Sequence, residues 1–521
     1  MLGEASRERA AARSSAWRSV RPWATVAALA LASTPRMALG VDFEIDGDVF
    51  AQGYDVAGPW GDVLLGRKRF GAVLGFAAYN LQGEARPLEA DYSVALRMRV
   101  DTDFGYRAGE TDYADDPTLY VPGMAYAPVD LMYGYVEGRD LGGGWFGFRV
   151  GRQYVTDVLG WWSFDGALLR LTTPFYVQAE VYGGLEQRGG LPLSSPRFER
   201  PGVWRGSHGD LEGDLAADFP SYQYAAPAPA VGFAVESAGP NWIHGRFDYR
   251  RVWSTGAAFT RQFPAHEGGG YPQVEGLRLS SERLGYAGSA FLPEIGGAKG
   301  GFVYDVGTGV VSRAYGALEF HVGEPVTLGA EVDYFVPTFD LDSIWNWFTH
   351  DGITTTLARV ALRPVEHLDV TVSGGARLWM AEGDPAAYRG ADSTSIAPDL
   401  VTDVGARYAW GTGQVRVHGG VETGFGEVAQ NRGRRGGADV TVAQELVPDH
   451  VWLAAGTSVY GWSDPLRTHR DATSFGYVVA PELAPADFVR ARVEWEHDLN
   501  RLVGQRFRLL GSLSFRAEVS P

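Results

Sequence analysis

The sequence predicts an all-β chain: a single up-and-down antiparallel transmembrane β-barrel of roughly 18–22 strands, with short periplasmic turns and long external loops. Three observations predict it. An export leader is followed by no apolar run long enough for a membrane helix. Period-2 alternation of apolar and polar residues recurs almost to the end of the chain. The connections between alternating segments are short, then long, then short again.

The leader occupies residues 1–40. Arg7, Arg9, Arg13, Arg18 and Arg21 form a basic start, Trp23 to Ala32 an apolar stretch, and Ala38-Leu39-Gly40 a small-residue cleavage site. Residues 41–521 then read as the barrel. Losing the leader removes six arginines and two glutamates, so 40 basic residues face 61 acidic ones, a formal charge of −21. That excess argues against nucleic acid as a partner. The 521 residues are 45% hydrophobic, which excludes a chain disordered by composition. There are 69 glycines, aromatics make up 13%, and both suit many strands with tight turns. With 0 cysteines, disulfides, thiolate catalysis and zinc–cysteine sites are excluded.

The alternation can be followed strand by strand. In "FGFRVGRQYV" Phe146, Phe148 and Val150 share one parity, while Gly147, Arg149, Gly151 and Gln153 share the other. In "VTLGAEVDYFV" Val326, Leu328 and Val332 oppose Thr327, Glu331 and Asp333. In "HLDVTVSGGARLWM" Val370 and Val372 oppose Asp369 and Arg377; in "QVRVHGGVETGF" Val415 and Val417 oppose Arg416 and His418. "DFVRARVEWEHD" sets Val489, Val493 and Trp495 against Arg490, Arg492 and Glu494. The last segment sets Phe507, Leu509 and Leu513 against Arg506, Arg508 and Ser512. Unbroken apolar faces opposite charged ones fit lipid outside and water inside.

Short connections fall at 172–175, 238–241, 322–325, 363–367, 410–413 and 447–450. Long ones fall at 104–127, 186–227, 255–276, 337–352, 382–399, 426–437 and 463–473. Counting from an inside start places the short turns on one rim, although 156–162, 307–309 and 498–502 are short on the other. Trp145, Trp162, Trp242, Trp410 and Trp462 lie near segment ends, where aromatic girdles are expected.

The stretch 146–171 resembles a signature of outer-membrane channels of the porin and alginate-export type. Arg149, Gly151, Arg152 and Gln153 close a rising strand; after a short loop Asp165-Gly166 opens the next, and Arg170 closes it. The resemblance implies an outer-membrane barrel that passes hydrophilic solutes or an anionic polymer.

Candidate pore-lining residues are Arg149, Gln153, Arg170, His244, Arg246, Asp248, Arg250, Arg377, Arg416, Glu422, Arg490, Arg492 and Glu494. They read either as a basic ladder guiding anions, with a local positive excess at Arg246 and Arg250, or as a wall whose charges cancel. The acidic loops 110–116 and 210–219 offer carboxylates to Ca2+ but lack EF-hand spacing, so no cofactor or metal is expected, with Ca2+ at those loops the one exception. Loop 186–227 is the longest, and is the expected plug or constriction. Trp345, Trp347 and Phe348 are too apolar to stand free in water, so their loop should fold over the mouth or onto the outer leaflet. Neither a P-loop, G-x-S-x-G nor H-E-x-x-H occurs, so no enzyme is expected.

The function expected is therefore a channel in the cell outer membrane, for diffusion or export of hydrophilic solutes. The alternatives are a sleeve or scaffold for a secreted polymer or partner protein, and a membrane-embedded hydrolase. Expected partners are outer-membrane lipid, lipopolysaccharide and the solute, with an oligomer allowed. N-terminal sequencing of the membrane-extracted protein should begin at Val41; an intact N-terminus would overturn the leader.

Overall fold

The computed structural model describes residues 40–83, 89–103, 130–187, 228–255, 258–259, 273–274, 276–339, 341, 352–380, 396–424, 434–463, 472–501 and 504–519. The strands are β1 Asp42–Ala57, β2 Val63–Tyr79, β3 Asp91–Asp103, β4 Asp130–Asp140, β5 Phe146–Asp157, β6 Gly160–Thr172, β7 Val177–Glu186 and β8 Pro229–Ser237. Next come β9 Ile243–Ser254, a two-residue hairpin β10 Ala258–Phe259 with β11 Gln273–Val274, β12 Arg278–Leu292, β13 Gly296–Asp305, β14 Val310–His321, β15 Val326–Phe335 and β16 Gly352–Val365. The rest are β17 Leu368–Met380, β18 Ile396–Trp410, β19 Gly413–Gly424, β20 Arg434–Val447, β21 Val451–Ser463, β22 Ala472–Ala486, β23 Val489–Asn500 and β24 Gly504–Val519.

Apart from the β10–β11 hairpin these form one 22-stranded antiparallel sheet, each strand bonded to its sequence neighbours. The sheet closes on itself. β1 pairs with β24 without a register shift, from Phe43 opposite Val519 to Ala57 opposite Gln505. The connections beginning at 141, 173, 238, 293, 322, 366, 411, 448 and 487 are tight and share one rim with the start of β1. The opposite rim carries the long loops.

Alternation puts large apolar side chains on the outside. Phe76, Val181, Phe233, Leu318, Leu328, Val404, Val421 and Leu513 are all exposed there. Their neighbours of opposite parity face inward, where they form ion pairs across strands, such as Arg97 with Asp46 at 2.7 Å and Arg377 with Glu422 at 2.7 Å. Exposed apolar residues on every side of a closed sheet are unfavourable in water and favourable in lipid. The chain is a transmembrane β-barrel.

Two of the five expected girdle tryptophans point inward. Trp162 is buried against Phe164, with rings stacked at 4.4 Å. Trp462 lies opposite Arg435 in register, on the lumenal face. Tryptophan near a strand end was a positional signal, and strand parity overrides position. Trp145 and Trp242 are exposed at the tight-turn rim, and Trp410 donates from Nε1 to Gln444 Oε1 at 2.9 Å on that same rim. The acidic loops 110–116 and 210–219 and the residues Trp345, Trp347 and Phe348 lie outside the described residues.

Single cysteines in this cysteine-free chain would read the faces directly. Cysteine at Val415, Val417, Val489 or Val493 should react only with lipid-soluble reagents, and at Arg416, Arg490 or Arg492 with small water-soluble ones. Reversed labelling would mean a one-residue register error, which moves every side chain to the other face.

Candidate functional site: an inward hairpin and the lumenal charge wall

The hairpin of β5 and β6 does not stay in the wall. β5 pairs with β4 only from Phe148 to Arg152. β6 pairs with β7 from Thr172 back to Phe164, with one further bond from Gln187 N to Ser163 O at 2.8 Å. Beyond those points the strand ladder among the described residues runs only between β5 and β6, down to Asp157 opposite Gly160.

The tip turns into the lumen. Asp157 Oδ2 accepts from Arg250 Nη2 at 2.6 Å, although Arg250 stands four strands on, on β9. A Cβ on Gly285 of β12 would lie 2.5 Å from Val158 Cγ1 and 2.9 Å from Leu159 Cδ2, so the bare backbone there makes room for the tip. Behind the tip lies the barrel's buried apolar cluster, with Trp162, Phe164, Leu168, Tyr182, Ala230 and Val252. The guanidinium of Arg250 sits 4.8 Å above the Trp162 ring. On the other side Tyr154 stacks on Trp161 at 5.6 Å and leaves Trp161 exposed.

The signature residues build the root of this hairpin. Arg152 grips Asp165 through Nε and Nη2, at 2.8 and 2.9 Å. Its Nη1 donates to Leu131 O at 2.9 Å, a β4 carbonyl beyond the last β4–β5 pair. A charged donor thus replaces a lost ladder bond. Gln153 is fully buried and donates to the carbonyls of Arg149 and Gly166, at 3.3 and 3.1 Å. Gly151 has φ 132, and a Cβ there would lie 2.3 Å from Gly134 O, so only glycine fits at the bend. One expectation is corrected here. Asp165-Gly166 does not open a strand but lies inside β6, and the loop is the two-residue tip 158–159. A charged pair at a root was not visible as such in the sequence.

The remaining candidates all take inward register positions, but most are paired. Arg246 is held by three carboxylates: Glu180 at 2.8 Å, Glu236 at 2.7 Å and Asp248 at 2.9 Å. Arg170 binds the other oxygen of Glu180 at 2.7 Å. Asp157, Glu180, Glu236 and Asp248 therefore face Arg170, Arg246 and Arg250, four acids against three bases. This corrects the expected positive excess: Asp248 and Arg250 are buried and Arg246 is saturated. Besides Asp248 on β9 itself, the acids that cancel them come from other strands and from the tip, which adjacency along β9 could not reveal.

Elsewhere Arg149 binds Glu137 at 2.8 Å, Arg377 binds Glu422 at 2.7 Å, and Glu422 also binds Arg435. Arg492 binds Glu494 at 2.9 Å, Glu494 also binds Arg508, and Arg490 lies 3.6 Å from Glu482. His244 and Arg416 face inward without joining any of these pairs. His418, passed over as a candidate, bridges Asp403 at 2.5 Å and Asp439 at 3.1 Å. Loop 186–227, the expected constriction, lies outside the described residues except at Glu186 and Gln187.

No family model and no curated protein matches the chain. Among solved structures it is similar to Acinetobacter baumannii OccAB1, at 9% identity over 92% of this chain and 97% of that one, TM-score 0.40. It is similar to Acinetobacter baumannii OccAB4, at 7% identity over 93% and 100%, TM-score 0.41. It is also similar to Pseudomonas aeruginosa OpdK, solved with vanillate, at 10% identity over 92% and 99%, TM-score 0.39.

Arg250→Ala would leave Asp157 buried without its partner, a loss of about 3–5 kcal/mol. The tip should then leave its seat. A cysteine at Val158 should react with a water-soluble maleimide at least about tenfold faster in the Arg250→Ala background. An unchanged rate would mean that other contacts hold the tip.

Proposed function

We propose that the chain is an outer-membrane channel for hydrophilic solutes, narrowed from within by the β5–β6 tip. One observation carries the reading. Away from β5–β9 the inward face bears charged side chains that stay largely exposed, such as Arg435 at 63% and Arg490 at 66%. Charges left exposed inside a closed sheet need water around them. A barrel of roughly 16–18 strands already encloses an aqueous channel, and side chains cannot fill a wider one.

The tip supplies the narrowing that so wide a barrel needs to select among solutes. It brings Asp157, Val158 and Leu159 against β9 and β12, so the open cross-section is displaced toward β16–β24. That remaining passage is bordered by mixed charges rather than by a single sign. The reading carries with it export after loss of residues 1–40, a girdle in contact with lipid and lipopolysaccharide, and no cofactor. Nothing among the described residues favours a sleeve or a hydrolase over a channel.

Planar-bilayer recording tests it. The native protein should conduct, and a variant with Thr156–Gly160 replaced by a two-glycine turn should conduct more. Silence from both would overturn the channel; equal conductance would place the narrowing elsewhere.

A further inference from the structure

We infer that a patch of β13–β16, bearing Lys299, Glu319, Glu331 and Arg359, is a binding site for a small dipolar ion, a solute with an ammonium and a carboxylate on one short skeleton. The inference rests on the channel reading, since it names the class of solute that would dwell in the lumen.

Register places all four side chains inward. Lys299 lies opposite Ser289, Ser289 opposite His244, and His244 shares its parity with the lumenal Arg246. Across the sheet Lys299 meets Ala317, and Ala317 meets Glu331. One pleat toward the tight-turn rim, Glu319 meets Gly329, and Gly329 meets Arg359. Lys299 and Glu331 are thus separated by a strand that offers only alanine, and Glu319 and Arg359 by one that offers only glycine, while Lys299 and Glu319, like Glu331 and Arg359, lie diagonally on adjacent strands. Two inter-strand steps put Lys299 and Glu331 about 10 Å apart at Cα. The four line a lumenal pocket of about 320 Å³.

Three of the four charges differ from most of the wall. Arg246, Arg250, Arg377 and Arg508 all close onto carboxylates. Lys299, Glu331 and Arg359 make no ion pair or side-chain hydrogen bond among the described residues. Glu319 has only His321, at 3.8 Å. The small residues Ala317 and Gly329 between the charges leave the floor low enough for a ligand.

The charges sum to zero, two of each sign. A simple anion drawn to Lys299 or Arg359 meets Glu331 or Glu319 within the same pocket, and a simple cation meets the reverse. A dipolar ion meets attraction at both ends. The pocket also lies on the path. Ser289 is two inward positions along β12 from Gly285, where the hairpin tip rests, toward the tight-turn rim. A solute that clears the tip reaches the patch next.

Saturation-transfer NMR on the detergent-solubilised full chain tests this with three probes: glycine, acetate and methylammonium. Glycine should bind about tenfold more tightly than either singly charged probe. Replacing the two bases, Lys299→Met with Arg359→Met, should abolish that preference and favour methylammonium. Replacing the two acids, Glu319→Gln with Glu331→Gln, should favour acetate. Lys299→Arg, which keeps the charge, should keep glycine binding and guards against a trivial loss of fold. Equal binding of the three probes by the native chain, or the same order of preference in both double variants, would overturn the site. Conduction is read separately. A chain that binds glycine but passes no current overturns the channel and supports the site, whereas one that conducts without preferring glycine overturns the site alone.

Discussion

Every other feature of this molecule depends on closing the backbone hydrogen-bond ladder. In hydrocarbon an unpaired peptide group costs several kcal/mol, so a sheet can cross a membrane only without an edge. The pairing of β1 with β24 provides that, over nearly the whole of both strands. Once the ring is closed, parity decides everything else. Outward positions meet lipid and must be apolar; inward positions are free to carry charge. Glycine and alanine are tolerated on either face, and this is why the signal in the sequence is the unbroken apolar parity rather than any single residue.

The same constraint explains the cost of the inward hairpin. A hairpin that peels away leaves carbonyls of its former neighbours without partners. The structure replaces one such bond with Arg152, which spans the pair with Asp165 and the carbonyl of Leu131. Farther in, the tip must hold its own charge. Asp157 is buried, and its ion pair with Arg250 is stable only because both members are present. Apolar packing of Trp162, Phe164 and Tyr182 fills the space beneath. The lumenal wall at β6–β9 thus becomes a small packed core, and the wall beyond it remains a charged surface.

Charge on that surface takes two forms. Most guanidiniums close onto carboxylates, from an adjacent strand as Arg170 does with Glu180, or across an intervening one as Arg97 does with Asp46, and guide nothing. Lys299, Glu331 and Arg359 instead stay apart and available to solute. The net charge of the chain, strongly acidic, predicts neither arrangement.

The barrel was legible in the sequence because its cause is local and repetitive. Alternation such as Val415, Val417 against Arg416, His418 states which face meets lipid, and turn lengths state the order of strands. The strand number and the inward parity of Arg149, Arg377 and Arg490 needed nothing more. What the tertiary structure alone decided is where the charges end up. Arg246 and Arg250 look like a basic ladder along β9, but besides Asp248 their carboxylate partners lie on β7, on β8 and at the hairpin tip, up to 93 residues away in sequence. Trp162 looks like a girdle residue and is a core residue, because its strand has left the wall. Strand pairing is fixed by a period that any short window contains; ion pairing and burial depend on which strands the closed ring sets side by side and on a hairpin crossing the space between them, and no window of the sequence contains that distance.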